Sequence, residues 1–500
     1  MDNPARHAAV ATTSLYDRLT WVFVTIIAGS YFFGLTPGHI FAQDDFAAYI
    51  MHAENLIEGK PYTQIRYVPN PQAPWVSPAN GYPPAYPLLL APVFWQRGLD
   101  FHAMKIATVL TFAIFLGAFA IWIRPLVSPH MRVLAIPLVG LSPAFWTYRD
   151  FISSEFPYLM FSFLALLAIR QATVNRAADH WHFGQALLVA ALLYACYATR
   201  TIGIALPIAL ACKELTERRR FSRFLILTLA MLAALIGLQA ALLTSPTGYI
   251  GASHISAVSA LSNLWSYTKS ITFAWQNGFS KVAQGLLGLV LTACGAIAFV
   301  RRNRSQASIE AWYLLAYLAI LIAWGTQIGI RGLLPILPIY LIYILMGISD
   351  WAERMRPTTA RIFVTAATFC IVVTYVGSLS QPIRSATAAD VNDPSAQELF
   401  SFLRAQTAPS DLLVFSKPRT ISLFTNRMAS SLGPDATPED SARFLQSAGA
   451  QFLIQSTWNP PAYHHLIEKH GPSMTEVFHN PDFQVLRLRD KTTTEKLASR

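Results

Sequence analysis

Three uncharged apolar runs, Ile106–Ile123, Phe224–Leu243 and Ile362–Leu379, limit what this chain can fold into more than any other feature. Each is close to the roughly 20 residues that a helix needs to cross a hydrocarbon core. In lipid only helices and closed barrels satisfy every backbone polar group. A barrel strand would alternate with period two, and these runs do not. Composition agrees, since 53% of residues are hydrophobic and only 13% are charged, about half the usual charged share. The chain is therefore expected to be an all-α polytopic membrane protein with about eleven transmembrane helices. They lie near residues 19–36, 102–123, 131–147, 155–169, 183–199, 201–212, 223–243, 283–300, 309–329, 332–349 and 360–379. The segment at 201–212 is short for a crossing, which predicts a tilt or a bend shared with its neighbour. The run Leu19–Leu35 lacks a small-residue cleavage site and is expected to stay as the first helix.

A net charge of +11 invites a nucleic-acid reading, but the placement of the charges opposes it. The basic residues cluster at Lys213–Arg223, at Arg301/Arg302/Arg304 and at Arg354/Arg356/Arg361, in short loops between apolar runs. That is the pattern of the positive-inside rule, and no nucleic-acid partner follows from it. With the N-terminus inside, the cytoplasmic loops collect roughly twice as many Lys and Arg as the short opposite loops. The expected orientation is N-terminus cytoplasmic and C-terminus outside. Cys196, Cys212, Cys294 and Cys370 lie in or beside apolar segments, so neither a disulfide framework nor metal spacing follows.

This orientation places three pieces outside. The first loop, 36–100, carries a helical pattern at Asp45–Glu58 and a proline-rich passage from Pro69 to Pro92. A second loop, 244–282, has Trp265, Tyr267, Phe273 and Trp275 at interfacial spacing. The tail, 380–500, is more polar and is expected to form a small C-terminal extracytoplasmic α/β domain, with residues 1–379 as the transmembrane domain. In the tail, Asp393-Pro394 and Thr437-Pro438-Glu439-Asp440 start helices, the second ending at Gly449. Leu412–Phe415, Gln451–Gln455 and Phe483–Leu488 are expected strands. His464, His465, His470 and His479 form no ligand pattern, and no catalytic motif is evident in the tail.

The feature with the most chemistry is Gln43-Asp44-Asp45, just outside the first helix. One reading is structural: Asp44 caps the helix that follows and Asp45 favours its positive end. The other is chemical. A carboxylate held at the membrane surface can take a proton from an attacking hydroxyl or amine, or the pair can hold a divalent metal.

The surroundings resemble a family. Asp44-Asp45 is followed by Tyr49, Ala53, Leu56 and Gly59-Lys60-Pro61-Tyr62, then by Tyr82-Pro83-Pro84-Ala85-Tyr86-Pro87-Leu88. This passage is similar to the first external loop of GT-C glycosyltransferases. The resemblance is to the bacterial protein-mannosyltransferase and aminoarabinose-transferase branch, including RgtA/B/C/D-like enzymes. Ser154-Glu155, Thr199-Arg200 and Arg331-Gly332-Leu333-Leu334-Pro335-Ile336-Leu337-Pro338 agree in order. The resemblance implies inverting transfer of a sugar from a polyprenyl-phosphate carrier to an envelope glycan, lipid or protein acceptor, at the periplasmic face of a bacterial inner membrane. It carries the role of base, or of acceptor orientation, to Asp44.

Asp45 is assigned acceptor binding or metal support, and Glu155 is a further acid that would share such an ion. No cofactor beyond this possible divalent metal is implied. A departing lipid phosphate needs cations. Arg200 and Arg331, at the external ends of spans, are candidates, and the alternative for each is snorkelling to the interface. Arg149 is a third candidate, unless it simply pairs with Glu155. Tyr82 stands where the aminoarabinose branch has Lys, which argues against an aminoarabinose donor. Tyr82 and Tyr86 either line the sugar pocket or anchor at the interface, with the anchor favoured.

Three rival readings are a lipid-linked-sugar flippase, an O-antigen polymerase or ligase, and a non-catalytic scaffold. The first predicts repeats and midplane charges, which are not evident. The second predicts an arginine-rich loop in the second half, where residues 244–282 contain no arginine. The third would have dispensed with the acid pair.

Overall fold

Helical periodicity carries through most of the apolar runs in the computed structural model, which describes residues 4–41, 43–72, 82–177, 183–243, 256–271, 275, 281–324, 328–379 and 390–488. The chain divides into two compact units. One comprises Met1–Leu35, Lys105–Leu238 and His254–Ile383; the other comprises Thr36–Met104, Gln239–Ser253 and Arg384–Arg500. The first loop thus shares a unit with the tail.

The first unit is helical. Five helices among the described residues are long and apolar enough to cross a membrane: Phe101–Trp122, Glu155–Thr173, Arg223–Leu242, Lys281–Asn303 and Pro357–Tyr375. Phe183–Thr199, Ile309–Ala323 and Leu337–Ala352 are shorter apolar helices. Phe112, Phe115, Phe119, Trp122, Phe145 and Phe163 form an aromatic core with ring centroids 5.0 to 6.2 Å apart. By contrast, only 17% of the Arg223–Leu242 window is buried, and Leu238 and Leu242 are exposed. A helix apolar all round that leaves this much side-chain surface uncovered is suited to lipid.

Two expected spans are broken. The helix Pro129–Gly140 stops before Pro143–Tyr148, because Pro143 has no N–H and disfavours a helical Ser142. The 201–212 segment starts with a 3₁₀ turn, Thr201–Ile204, and continues as Ala205–Arg218. The aromatic residues of the second loop do not act as a set. Trp265 is exposed beside Lys269, whereas Tyr267 and Trp275 are buried. Phe273 lies outside the described residues.

The second unit is built on a five-stranded sheet of order β2-β1-β3-β5-β4. Its strands are β1 Leu412–Val414, β2 Met428–Ser430, β3 Phe452–Ser456, β4 Met474–His479 and β5 Phe483–Leu488. β1 runs parallel to β2 and β3, while β5 is antiparallel to β3 and β4. Beyond β2 the first loop adds one more rung, because Ala429 donates to the Arg66 carbonyl and Val68 donates to that of Ala429. This covers an edge that would otherwise present unpaired backbone groups.

The Asp45–Glu58 helix packs against Ala85–Arg97 and Pro418–Thr425. Phe46 through Ala53 are all buried, so its amphipathic sequence pattern understates how enclosed it is. Gly59 ends the helix in the left-handed region at φ 66°, where a side chain would be strained.

Candidate functional site

In the first unit the local fold brings Glu155, Arg200 and Arg331 together. Glu155 opens its helix and is fully buried. Arg200 sits in extended backbone where the Phe183–Thr199 helix gives way to the 3₁₀ turn. That turn needs Gly203, since a Cβ there would lie 2.5 Å from the Cys196 carbonyl carbon. Arg331 lies in the short helix Ile330–Leu333, entered through Gly329 at φ 64°. Glu155 Oε1 accepts from Arg331 Nε at 2.5 Å and from Arg200 Nη1, which also reaches Ser154 Oγ at 3.4 Å. Two guanidiniums on one carboxylate carry a surplus of one positive charge. Both arginine side chains keep some exposure, 16% and 21%.

Arg149 does not pair with Glu155. Its guanidinium carbon lies 3.7 Å over the Trp146 ring, and its buried Nε and Nη1 have no hydrogen-bond partner among the described residues. The neighbouring Asp150 instead pairs with the fully buried Lys105 at 2.7 Å.

In the second unit the acid pair meets the tail. Asp44 stands at the start of the Asp45–Glu58 helix, but its side chain makes no cap hydrogen bond there. It faces the N-terminus of Pro418–Thr425 instead. Oδ1 accepts from Thr420 N at 2.8 Å and Thr420 Oγ1 at 2.9 Å, and Oδ2 accepts from Arg419 N at 3.3 Å. Asp45 Oδ1 accepts from Tyr82 Oη at 2.5 Å and from Arg419 Nη1 at 3.1 Å. Arg419 Nη1 also donates to Tyr82 Oη at 2.9 Å and lies 3.8 Å from Asp44 Oδ2. The guanidinium carbon is 5.2 Å over Tyr67 and 5.1 Å over Tyr82, within cation–π range.

Burial pushes the Asp44 carboxyl above its ordinary value, and Arg419 and the Thr420 N–H partly oppose that. The Arg419 guanidinium is pushed further into its charged form by Tyr82, Asp44 and Asp45 despite its burial. Neither Arg419 nor Thr420 was evident from sequence, because no local motif marks them.

The acid pair is where the sequence offered a divalent metal. Asp44 accepts from the helix N-terminus, Asp45 Oδ1 accepts from Tyr82 and Arg419, and the cation beside both carboxylates is a guanidinium. No group of three or more His, Cys, Asp or Glu suited to a metal occurs among the described residues. This donor set does not fit a divalent ion.

Tyr86 is buried with its ring edge-on to Tyr49 at 4.8 Å, so the interface anchor expected of it is replaced by packing between two helices. Tyr82 serves the carboxylates rather than an interface. Gly59-Lys60-Pro61-Tyr62 is a turn held by Asn55, whose amide donates to the Pro61, Tyr62 and Gln64 carbonyls.

His52, fully buried, donates from Nδ1 to the Tyr62 carbonyl at 2.7 Å and stacks on that ring. Burial lowers its pKa from 6.5 to about 4. A depressed folded value means the neutral ring's contribution is complete above pH 6.5 and is lost as pH falls toward about 4, roughly 3 kcal/mol in all. Thermal unfolding between about pH 7.5 and about pH 4.5 should show this loss. The His52→Gln variant should be less acid-sensitive, and an unchanged acid dependence would contradict the assignment.

The fold is shared with solved glycosyltransferases. ArnT from Cupriavidus metallidurans, bound to undecaprenyl phosphate, superposes with a TM-score of 0.53 at 12% identity, covering 94% of this chain and 98% of that one. AglB from Archaeoglobus fulgidus, in complex with an inhibitory peptide and a dolichol-phosphate, gives 0.59 at 10% identity, with 97% and 77% covered. The mycobacterial arabinofuranosyltransferase AftD gives 0.51 at 14% identity, and the match spans 95% of this chain and 42% of AftD. No family model and no curated protein sequence matches the chain. Identities this low speak to the fold alone, which this chain shares with these membrane enzymes.

Proposed function

We propose that this chain transfers a sugar from a polyprenyl-phosphate carrier to an envelope glycan, lipid or protein acceptor, with inversion at the anomeric carbon. The observation that carries the reading is the arginine pair held on Glu155. One carboxylate fixes two guanidiniums and leaves a net positive charge, which is what a lipid phosphate needs as a leaving group. Arg149, whose buried Nε and Nη1 have no hydrogen-bond partner among the described residues, supplies further donors. Glu155 acts by positioning these arginines rather than by touching the acceptor or an ion. The solved relatives with undecaprenyl phosphate and dolichol-phosphate support a carrier of this class.

Asp44 takes the acceptor's proton. Its Oδ1 already accepts two donors and its Oδ2 accepts one, so the remaining lone pair on Oδ2 is the receiving position. A carboxylate raised by burial is a stronger base than a solvated one. Asp45 and Tyr82 hold the neighbouring charge. About eleven helices cross a bacterial inner membrane with the N-terminus cytoplasmic, and the first loop and the tail face the periplasm.

Removing Arg331 leaves Arg200 and Glu155 neutral as a pair. The Arg331→Gln protein should therefore retain undecaprenyl phosphate at least about tenfold more weakly, the worth of a charge-assisted hydrogen bond. Native mass spectrometry of protein released from nanodiscs measures this directly. Equal retention by both proteins would remove the arginine pair from carrier binding.

A further inference from the structure

The tail's contribution to the acid pair goes beyond the reaction assigned above and rests on it. We infer that Arg419 is a built-in cation of the acceptor site, standing where a divalent metal would otherwise neutralise Asp44 and Asp45. Its side chain is only 5% exposed, yet it carries its charge among partners suited to a cation. Nη1 touches Asp45 and Tyr82 and approaches Asp44 within 3.8 Å, while the rings of Tyr67 and Tyr82 face the guanidinium.

The charge count separates the two kinds of cation. Two carboxylates and one guanidinium leave a net charge of −1, so one equivalent of basic carboxylate survives. A divalent ion would cancel both and hold their lone pairs. The helix beneath Arg419 completes the arrangement, since Arg419 N, Thr420 N and Thr420 Oγ1 all donate to Asp44. A helix N-terminus of this kind favours an anion. The tail is thus a working part of the site, because it delivers the only guanidinium among the described residues that contacts the acid pair.

Three measurements on the full chain in nanodiscs test this. Wild-type transfer should be unchanged by a strong chelator. Calorimetric titration with Mn²⁺ should show no site that Asp45→Asn removes. Arg419→Ala should lose at least about tenfold in transfer rate and regain part of it with added guanidinium ion, which would not restore a merely structural loss. Chelator-sensitive transfer restored by Mn²⁺, or stoichiometric Mn²⁺ binding abolished by Asp45→Asn, would overturn the inference. The outcomes are separable from those of the reaction itself. If Asp44→Asn is inactive while Mn²⁺ is required, only the role of Arg419 fails; if Asp44→Asn is fully active, it is Asp44 as base that fails.

Discussion

Asp44→Asn should lower sugar transfer by about a hundredfold to ten-thousandfold, the range of a general base, while leaving undecaprenyl phosphate binding intact. Asparagine keeps the Oδ1 that accepts from Thr420 and keeps the shape of the side chain, but it cannot take a proton. Because Asp44 also anchors the Pro418–Thr425 helix, backbone hydrogen exchange across that helix should be measured in the same protein. A rate loss with protected amides assigns the effect to chemistry. A rate loss with exposed amides assigns it to the anchor. The pH profile adds a second constraint. The base works only when deprotonated, and burial raises its pKa, so the acid limb of kcat/KM should lie above the ordinary carboxylate range. An acid limb at the ordinary position would contradict the burial of Asp44.

Asp150→Asn should cost about 3–5 kcal/mol of stability, the effect of breaking a buried pair from one side. Lys105 is 0% exposed and Asp150 2% exposed at the side chain, with 2.7 Å between charged atoms. Removing the acid leaves an ammonium enclosed in the helical unit. Replacing both partners, as Lys105→Met with Asp150→Leu, removes that charge and should recover most of the loss, since apolar replacement of a whole buried pair is often near neutral. Thermal unfolding in detergent or nanodiscs reports both values. Equal destabilisation by the single and double variants would show that the pair acts through packing and not through charge.

How much of this was legible in the sequence depends on how local the signal was. The apolar runs at 106–123, 224–243 and 362–379 lie within helices of the structure to within one residue, because a span carries its own periodicity and length. The Asp45–Glu58 helix was also legible, as was the tail helix from Pro438 to Ala448, with Thr437 as cap and Gly449 at its end. Phe483–Leu488 was found to the residue. The Ala85–Arg97 helix was hidden inside a proline-rich passage, where Pro87 and Pro92 argue locally against helix and packing against Asp45–Glu58 overrides them. β2 and β4 are short or polar on one face and gave no clear alternation.

The site divides along the same line. Asp44, Asp45, Glu155, Arg200 and Arg331 were visible because they fall in recognisable loop passages. Their partnerships were not visible. Asp44 meets Thr420 across 376 positions of sequence, and Glu155 meets Arg331 across 176. Contacts of that separation leave no trace in local spacing, so the sequence offered Arg149, only six positions from Glu155, as a phosphate candidate or as a partner of Glu155, and the fold does not make that pair. Arg419 was missed for the same reason: it directly follows the proline that starts its helix, and nothing in that local sequence points to the acid pair.

Sugar transfer from a lipid phosphate is tested by supplying purified protein in nanodiscs with a panel of radiolabelled undecaprenyl-phosphate sugars and an envelope extract. Label from one donor should pass into a new glycosidic bond of inverted configuration, with free undecaprenyl phosphate released in equal amount. Label that crosses the bilayer still joined to its carrier, with no bond broken, would contradict it and identify a transporter instead.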